Sequence, residues 1–341
     1  MPSQLAYHFW PDWAFILGIR VDYLAPTVYL TDILVMTLLI LWLPRQKNLP
    51  RYFLIILIFA FVNIGFSILK WASLFKWLKI FELFLFAFYV SQNKNLIQKK
   101  IFLKVLSLSL FLVSIIGILQ FLLGRTIGGP LYFLGERSFE INTPGISRQN
   151  IFGRDFLRPY STFSHPNSLA GFISLTFLAF SGSLRLIPSI ALFLTNSLSA
   201  FIGLITVLFF QKLGRLILIT FFISSFILPA INLYGDESVT ERLKMSRLAT
   251  QIIRKNFWVG TGLNTFVYQN PYRQPVHNIF LLIFSETGVI GFLVFTLFLF
   301  RGISRSAPVF IFVLVTSFFD HYWLTLQQNM LLLSLVYGYF F

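Results

Sequence analysis

Long apolar runs separated by short polar turns cover most of the chain. They lie at residues 24–43, 52–69, 74–90, 105–123, 169–180, 216–233, 279–300, 308–319 and 323–341. Because a helix needs about 20 apolar residues to cross the hydrocarbon core, these runs predict membrane-spanning helices. Another run, at 184–210, is interrupted by Thr195-Asn196-Ser197 and by Ser199. It is either one long span or two short spans that meet at a polar elbow.

The composition supports the same class of protein. Hydrophobic residues make up 57% of the chain and charged residues 11%, with a mean hydropathy of +0.78. Soluble domains contain about 25% charged residues, so we predict that residues 1–341 form a single integral membrane domain with an all-α, polytopic fold. The chain has no cysteine, and its four histidines lack the spacing of metal ligands. We therefore predict no disulfide, no metal and no other cofactor.

Basic residues mark the short loops and suggest an orientation. They are Arg45, Lys47, Arg51, Lys94, Lys99, Lys100, Lys104, Arg185, Lys212, Arg215, Arg301 and Arg305. If they all face the cytoplasm, the positive-inside rule is satisfied, but only when the elbow at 195–199 splits its run into two spans. The prediction is about 11 transmembrane helices, with the N-terminus outside and the C-terminus inside. Lys70, Lys76 and Lys79 fall on an outer turn, and we expect them to snorkel from the helix ends.

Two long loops, at residues 124–165 and 234–276, are then predicted to be extracytoplasmic. Most of their basic residues are arginines. The planar guanidinium suits phosphate better than the point charge of lysine does, although a surface attracted to anionic lipid headgroups is the alternative. Residues 238–257 carry apolar side chains at helical spacing. We expect an amphipathic helix there, lying on the membrane surface.

His277 and Asn278 stand where the second basic loop meets the next apolar run. Imidazole has an unperturbed pKa of about 6.5, which suits general acid–base chemistry near neutral pH. A titratable group at the membrane surface, beside arginines, indicates chemistry on a substrate that is itself anchored in the bilayer. An interfacial histidine also occurs as a simple amphipathic anchor, and position alone favours that interpretation.

Short motifs follow one another in a fixed order. They read RPYSTFSHPNSLA (158–170), TNSLSA (195–200), ERL (241–243) with NFWVGTGLNTF (256–266), and HNIFL (277–281) with ETGVIG (286–291). In this order they resemble the O-antigen ligase and O-antigen polymerase superfamily of bacterial envelope proteins. One departure is that Leu198 and Ala200 flank Ser199 at the elbow, where the family has an arginine.

The resemblance implies a multi-pass protein of the bacterial cytoplasmic (inner) membrane. It implies metal-independent transfer of a glycan from undecaprenyl diphosphate to an acceptor hydroxyl, with a loop histidine as base. The acceptor is a lipid or protein for a ligase, or another repeat unit for a polymerase, and the motifs do not separate the two. Membrane lipids are expected partners and nucleic acid is not. Because the elbow arginine is absent, its positive charge must come from elsewhere.

The candidate site combines a base, a set of cations and a set of polar contacts. The candidate base is His277. The cations expected to bind the diphosphate are Arg158, Arg242, Arg247 and Arg273. The polar residues expected to contact substrate are His165, Asn167, Asn278 and Glu286.

Two of these polar residues also have a structural interpretation. Asn167 follows Pro166 at a helix start, where it can satisfy free amides. Glu286 can be a polar contact between spans. No second carboxylate is placed to form a covalent intermediate, so we expect in-line displacement with inversion at the anomeric carbon.

Two other functions compete with glycosyl transfer by a histidine base. A lipid-linked oligosaccharide flippase is less favoured because the arginines gather in loops and not along the spans. A peptidoglycan-type polymerase would rely on an acidic loop residue, for which Asp236, Glu237 and Glu241 are available. Asp320, His321 and the run Gln327-Gln328-Asn329 form a further polar group near the last span. They either pack helices together or line the glycan cleft.

Overall fold

Helices form most of the chain in the computed structural model, which describes residues 2–46, 51–96, 98–180, 186–210 and 237–341. In chain order they are α1 (Leu30–Trp42), α2 (Arg51–Gly65), α3 (Lys70–Asn93), α4 (Lys99–Leu123), α5 (Pro166–Phe180), α6 (Leu186–Leu194), α7 (Leu198–Phe210), α8 (Glu237–Lys255), α9 (Phe266–Gln269), α10 (Ile279–Arg305), α11 (Ala307–Ser317), α12 (Tyr322–Thr325) and α13 (Gln327–Phe340). The predicted predominance of helix is confirmed.

Two of the described helices, α4 and α10, are long and apolar enough to cross a membrane by length and composition. Shorter apolar helices occur at Phe53–Gly65, Pro166–Phe180, Leu198–Phe210 and Ala307–Ser317. The count of about 11 spans, their orientation and the extracytoplasmic position of the two long loops stay predictions. The span predicted at 216–233 and the basic residues Lys47, Arg185, Lys212 and Arg215 lie outside the described residues.

Three two-stranded antiparallel sheets depart from the all-α prediction. They pair β1 (Ala6–His8) with β4 (Thr27–Tyr29), β2 (Phe15–Ile16) with β3 (Ile19–Arg20), and β5 (Arg148–Ile151) with β6 (Arg154–Leu157). The sheets lie in the N-terminal segment and the first long loop, and of their strands only β4 falls within a predicted apolar run, at the start of 24–43. Backbone groups in these segments need hydrogen-bond partners that no helix supplies, and short hairpins provide them. The fold is therefore helical with small β-hairpins.

The interrupted apolar run contains two helices, as the split at 195–199 predicts. Helix α6 ends at Leu194 and α7 begins at Leu198. At the turn Asn196 has a φ of 48°, in the left-handed region. A helix end leaves backbone carbonyls without helical partners, so the elbow offers the oxygens of Thr195 and Asn196 to donors from elsewhere.

Helix α10 is broken at Gly288, where a continuous span over 279–300 is predicted. Gly288 has φ 64° and ψ −169°, so the helical hydrogen bonds stop there. A loop before the histidine satisfies the freed groups. Thr261 N donates to Ser285 O at 3.1 Å, Gly262 N donates to Glu286 O at 2.9 Å, and Val289 N donates to Phe257 O at 2.8 Å. A side chain at Gly288 would overlap the backbone of Trp258, which explains the glycine.

Helix α8 is the predicted amphipathic helix, but its apolar face is buried within the protein. Met245, Ala249, Ile252 and Ile253 are buried and pack with residues of the loop after α8 and of the start of α10. The apolar face is therefore turned toward the protein and not toward lipid, while the position of the helix at the membrane surface stays a prediction. The face is buried because α10 and the loop before it present a complementary apolar surface, which removes the same area from water.

Two of the three lysines of α3, Lys76 and Lys79, do not snorkel as predicted. Lys79 is buried and forms ion pairs with Asp32 of α1 and with Glu82, the latter at 3.7 Å. Lys76 donates from Nζ to Leu324 O at 2.7 Å. Lys70, at the start of the helix, is exposed. Helices α1 and α13 pack on α3, so acceptors are available within the protein and the longer reach to the interface is not needed.

An apolar core between α5, α10, α11 and α13 holds the ends of these helices together. Leu169 near the start of α5 and Phe280 at the start of α10 are both buried in it. The Phe280 ring packs on Phe318, just after α11, with ring centroids 4.6 Å apart. This packing brings together three residues that lie just outside helix ends: His165 before α5, His277 before α10 and Asp320 after α11.

Candidate functional site

A cavity of about 830 Å³ lies between the N-terminal segment, α3, the first long loop, α8 and the chain around residues 320–330. Its lining includes five of the predicted site residues: Arg158, His165, Asn167, Arg242 and His277. Ionisable side chains that were not among those candidates also line it: Asp22, Lys76, Lys79, Glu136, Arg137, Glu241, Asp320 and His321. Segments far apart in sequence thus converge on one polar chamber.

His277 is held at the edge of this chamber by the start of α10. Asn278 caps the helix, because its Oδ1 accepts a hydrogen bond from Leu281 N at 3.1 Å. The His277 side chain is 18% exposed, and its Nδ1 lies 3.8 Å from Asp320 Oδ1. No hydrogen-bond partner reaches this Nδ1 among the described residues. The ring of His321 lies beside it, with centroids 5.1 Å apart.

Asp320 is the centre of a short hydrogen-bonded chain. Its Oδ2 accepts from Asn167 Nδ2 at 2.8 Å, and its Oδ1 accepts from the backbone N of His321, also at 2.8 Å. Asn167 in turn accepts from Arg158 Nη2 at 2.8 Å. Burial opposes ionisation of Asp320, yet its contact with His277 and the neighbouring His321 hold the pKa of the carboxyl well below its usual range. A carboxylate therefore faces the ring of His277.

Two further histidines of the chamber, His165 and His321, are neutral at neutral pH. Burial lowers the pKa of His165 to about 4 and that of His321 to about 3. Asn167 N donates to His165 Nδ1 at 3.1 Å, and His321 Nδ1 lies 2.6 Å from Thr325 Oγ1. These contacts fix both rings in place.

Arg158, in the first long loop, donates hydrogen bonds to the elbow between α6 and α7. Its Nε donates to Thr195 O at 2.7 Å and its Nη2 to Asn196 O at 3.3 Å, while Nη1 donates to Ser147 Oγ at 2.8 Å. With the bond to Asn167, partners among the described residues engage four of its five N–H groups, and one N–H on Nη1 remains. The elbow lacks the arginine that the sequence resemblance leads us to expect there, and an arginine from the first loop docks on its carbonyl oxygens instead.

The other candidate arginines divide into one that lines the chamber and two that do not. Arg242, in the first turns of α8, lines the cavity. Arg247, on the same helix, and Arg273, in the loop before His277, are absent from the lining. Arg273 adopts a left-handed φ of 53°, and its backbone N donates to Asn270 O.

Glu286 and Asn278 are also outside the cavity lining. The carboxylate of Glu286 accepts from Asn264 N and from Phe266 N, both at 2.9 Å. It thereby ties the loop before α9 to the break in α10. These contacts support the structural interpretation of Glu286 as a polar contact, and the capping bond does the same for Asn278.

Sequence reasoning did not include Asp320 or Lys76 among the site residues. Asp320 belongs to the polar group near the last span, which was expected either to pack helices together or to line the glycan cleft. It lines the cavity, and it also accepts a hydrogen bond from Asn167. Lys76 was set aside as an exception to the charge rule. Charged residues within a membrane domain are costly, and this cost is the signal that could have identified both.

One group of described side chains, at the edge of the cavity, could hold a metal ion. His277, Asp320 and His321 each present one ligand atom, and these atoms lie within 4.8 Å of one another. Both oxygens of Asp320 already accept hydrogen bonds from protein donors. A metal would therefore have to share the carboxylate with Asn167 and the backbone of His321.

Comparison with known families bears on the region around His277. Residues 183–296 match the family model described as O-antigen ligase. The matched range includes the elbow, α8, His277 and the break in α10, whereas Arg158 and Asp320 lie outside it. No match is found among curated proteins or among solved structures. The match confirms the predicted resemblance to the O-antigen ligase-like superfamily of membrane proteins.

Proposed function

We propose that this protein is a membrane glycosyltransferase of the O-antigen ligase type. It moves a glycan from undecaprenyl diphosphate to an acceptor hydroxyl on the outer face of the bacterial cytoplasmic membrane. The observation that carries this proposal is the approach of the His277 ring to the buried carboxylate of Asp320 at the wall of a cation-lined cavity. The family match over residues 183–296 supports the reaction class.

His277 acts as the base in this proposal. With Nδ1 turned toward Asp320, the neutral ring keeps its proton on that nitrogen and uses Nε2 to accept the proton of the acceptor hydroxyl. The carboxylate then stabilises the imidazolium that forms. The 3.8 Å separation is longer than a hydrogen bond, and catalytic contacts of this kind often tighten only when substrate is bound.

Cations of the cavity stabilise the departing diphosphate. Arg242 lines the chamber and is the principal candidate, with Arg158 contributing its charge and its one remaining N–H. Such preorganised cations do the work of a Lewis acid without a metal. Arg247 and Arg273 lie off the lining and belong to the proposal only if they move when substrate binds.

The single base predicts direct displacement at the anomeric carbon. The acceptor oxygen forms the new glycosidic bond as the bond to the diphosphate oxygen breaks, and the hydroxyl proton passes to His277. The anomeric centre is inverted because the acceptor oxygen attacks directly from the side opposite the departing diphosphate. A product with retained configuration would contradict this step.

A loop-acid mechanism is the alternative that one observation favours. Glu241 lines the cavity next to Arg242, and a peptidoglycan-type polymerase would use such a residue as its base. Asp236 and the side chain of Glu237 lie outside the described residues. Replacing Glu241 with Gln separates the two mechanisms, because it leaves a base at His277 untouched.

The test is transfer from a purified undecaprenyl-diphosphate glycan in proteoliposomes, in the presence of EDTA. We expect wild-type protein to consume the donor, and His277→Ala to turn over at least about 10²-fold more slowly. A ladder of products identifies a repeat-unit polymerase, and a single adduct identifies a ligase. Loss of activity in EDTA, restored by a divalent cation, would contradict the metal-independent mechanism.

Two other results would overturn the proposal. Unchanged turnover in His277→Ala, with loss in Glu241→Gln, would move the base to the acidic residue. Intact donor crossing the membrane without transfer would identify a flippase.

A further inference from the structure

Two lysines of α3, less than one helical turn apart, have different surroundings. Lys79 is neutralised by Asp32 and Glu82. Lys76 donates to Leu324 O at 2.7 Å and lies 3.8 Å from the sulfur of Met330. Among the described residues no carboxylate lies within ion-pair distance of Lys76. Lys76 lines the cavity, so its charge is available to an anion there.

An apolar groove lies on the same helix beside the cavity. Its volume is about 200 Å³, and its lining consists of Trp13, Pro26, Trp71, Leu74, Phe75 and Leu78. The four α3 residues of this set recur at helical spacing and so share one face. Phe75 lines both the groove and the cavity, which makes the two neighbours. Trp71 and Leu78 are 63% and 58% exposed, so the groove is open to the outside of the protein.

A cation in a chamber next to an open apolar groove matches a ligand that joins a phosphate to an apolar chain. We propose that Lys76 and this groove bind the lipid end of a polyprenyl diphosphate, with a phosphate at Lys76 and the first isoprene units in the groove. The inference rests on the proposed function for the identity of the lipid. A lysine ammonium binds phosphate as a point charge, and apolar side chains bury the chain next to it.

The position of Lys76 favours this ligand over a bulk phospholipid. Lys76 lines the same chamber as His277, so a phosphate bound to it would lie in the chamber where the proposed transfer releases the glycan. A phospholipid headgroup would only need a cation at the protein surface, such as the exposed Lys70. The site therefore selects a lipid whose phosphate enters the chamber.

The test is equilibrium binding of radiolabelled undecaprenyl diphosphate, without glycan, to the protein in nanodiscs. We expect Lys76→Met to weaken binding about 10- to 100-fold, because a charge-assisted hydrogen bond is lost. Lys76→Arg keeps the charge and should bind within about 3-fold of wild type. Leu78→Asp should weaken binding by at least about 10-fold through the groove. Lys70→Met, on the same helix, is the matched control and should bind as wild type.

Two results would overturn the inference. One is wild-type binding by Lys76→Met, with thermal unfolding in the same nanodiscs showing that the variant is folded. The other is equal competition by phosphatidylglycerol, which would identify a general lipid site. Because the readout is binding, the two proposals fail separately. Binding through Lys76 without glycan transfer upholds this inference and overturns the proposed function. Transfer by a protein whose Lys76→Met variant binds normally overturns this inference alone.

Discussion

Two polar clusters flank the first half of α10, and they differ in how their hydrogen-bonding capacity is used. At the broken end, Glu286 accepts two backbone N–H bonds, and its own carbonyl accepts from Gly262 N and Asn63 Nδ2. At the starting end, His277 Nδ1 has no hydrogen-bond partner among the described residues, although a carboxylate lies 3.8 Å away.

The difference distinguishes a structural residue from a candidate catalytic residue within the same sequence motif. A cluster whose donors and acceptors all meet one another stabilises the fold and offers nothing to a substrate. A titratable ring that lines a cavity and lacks a partner can take up a proton or a ligand. Both Glu286 and His277 belong to the segment that resembles the family signature, but only His277 lines the chamber.

The largest effect is expected from a substitution at Asp320. Replacing it with Asn keeps the size of the side chain and removes the charge that faces His277. We expect turnover to fall about 10²-fold, because the imidazolium formed in the reaction loses its carboxylate. The pH–rate profile of the folded variant is the second readout, and a change in its shape would place the charge of Asp320 in the reaction itself.

The control for Asp320→Asn is the thermal stability of the variant. A large loss of stability, together with an unshifted pH–rate profile of the folded fraction, would assign Asp320 to structure and not to the reaction.

Arg242 and Arg247 provide a matched pair on α8. Arg242 lines the chamber and Arg247 does not. We expect Arg242→Gln to raise the KM for the lipid-linked donor about 10-fold or more, because a charge-assisted contact with the diphosphate is lost. Arg247→Gln should change the KM by no more than about 2-fold. Equal effects from the two variants would mean that the helix contributes a general positive field and no specific contact.

The last expected effect is on stability at acidic pH and not on turnover. Burial lowers the folded pKa of His165 to about 4 and of His321 to about 3, below the ordinary value of 6.5. The unfolded chain therefore binds protons first, and stability falls as the pH drops from about 6.5 toward 4. We expect the melting temperature to decrease over this range, and His321→Asn to decrease less steeply. A flat profile for wild type would show that these rings are not held neutral.

The sequence predicted those parts of the molecule that depend on local pattern. The apolar runs predicted the helices, and the polar residues Thr195–Ser197 predicted the split between α6 and α7. The order of short motifs predicted the resemblance to O-antigen ligases, which the match over residues 183–296 confirms. His277, Arg242 and Asn167 were predicted from their chemical type and position alone, and all three line the cavity.

The remainder depends on contacts between distant segments. Asp320 faces His277 only because α10 and α11 pack through Phe280 and Phe318. Arg158 reaches the elbow from the first loop, about 40 residues earlier, and no local pattern encodes that docking. The break at Gly288 is compensated by the loop at 257–262, so neither segment reveals it alone.

The most direct measurement compares His277→Ala with Glu286→Gln in one transfer assay, with melting temperature recorded for both. We expect His277→Ala to lose at least about 10²-fold in turnover while its melting temperature stays near wild type. We expect the reverse for Glu286→Gln, which loses one charge-assisted acceptor and about 2 kcal/mol of stability, yet turns over normally per folded molecule. Normal turnover by folded His277→Ala, or its loss in folded Glu286→Gln, would contradict the assignment of the chemistry to His277.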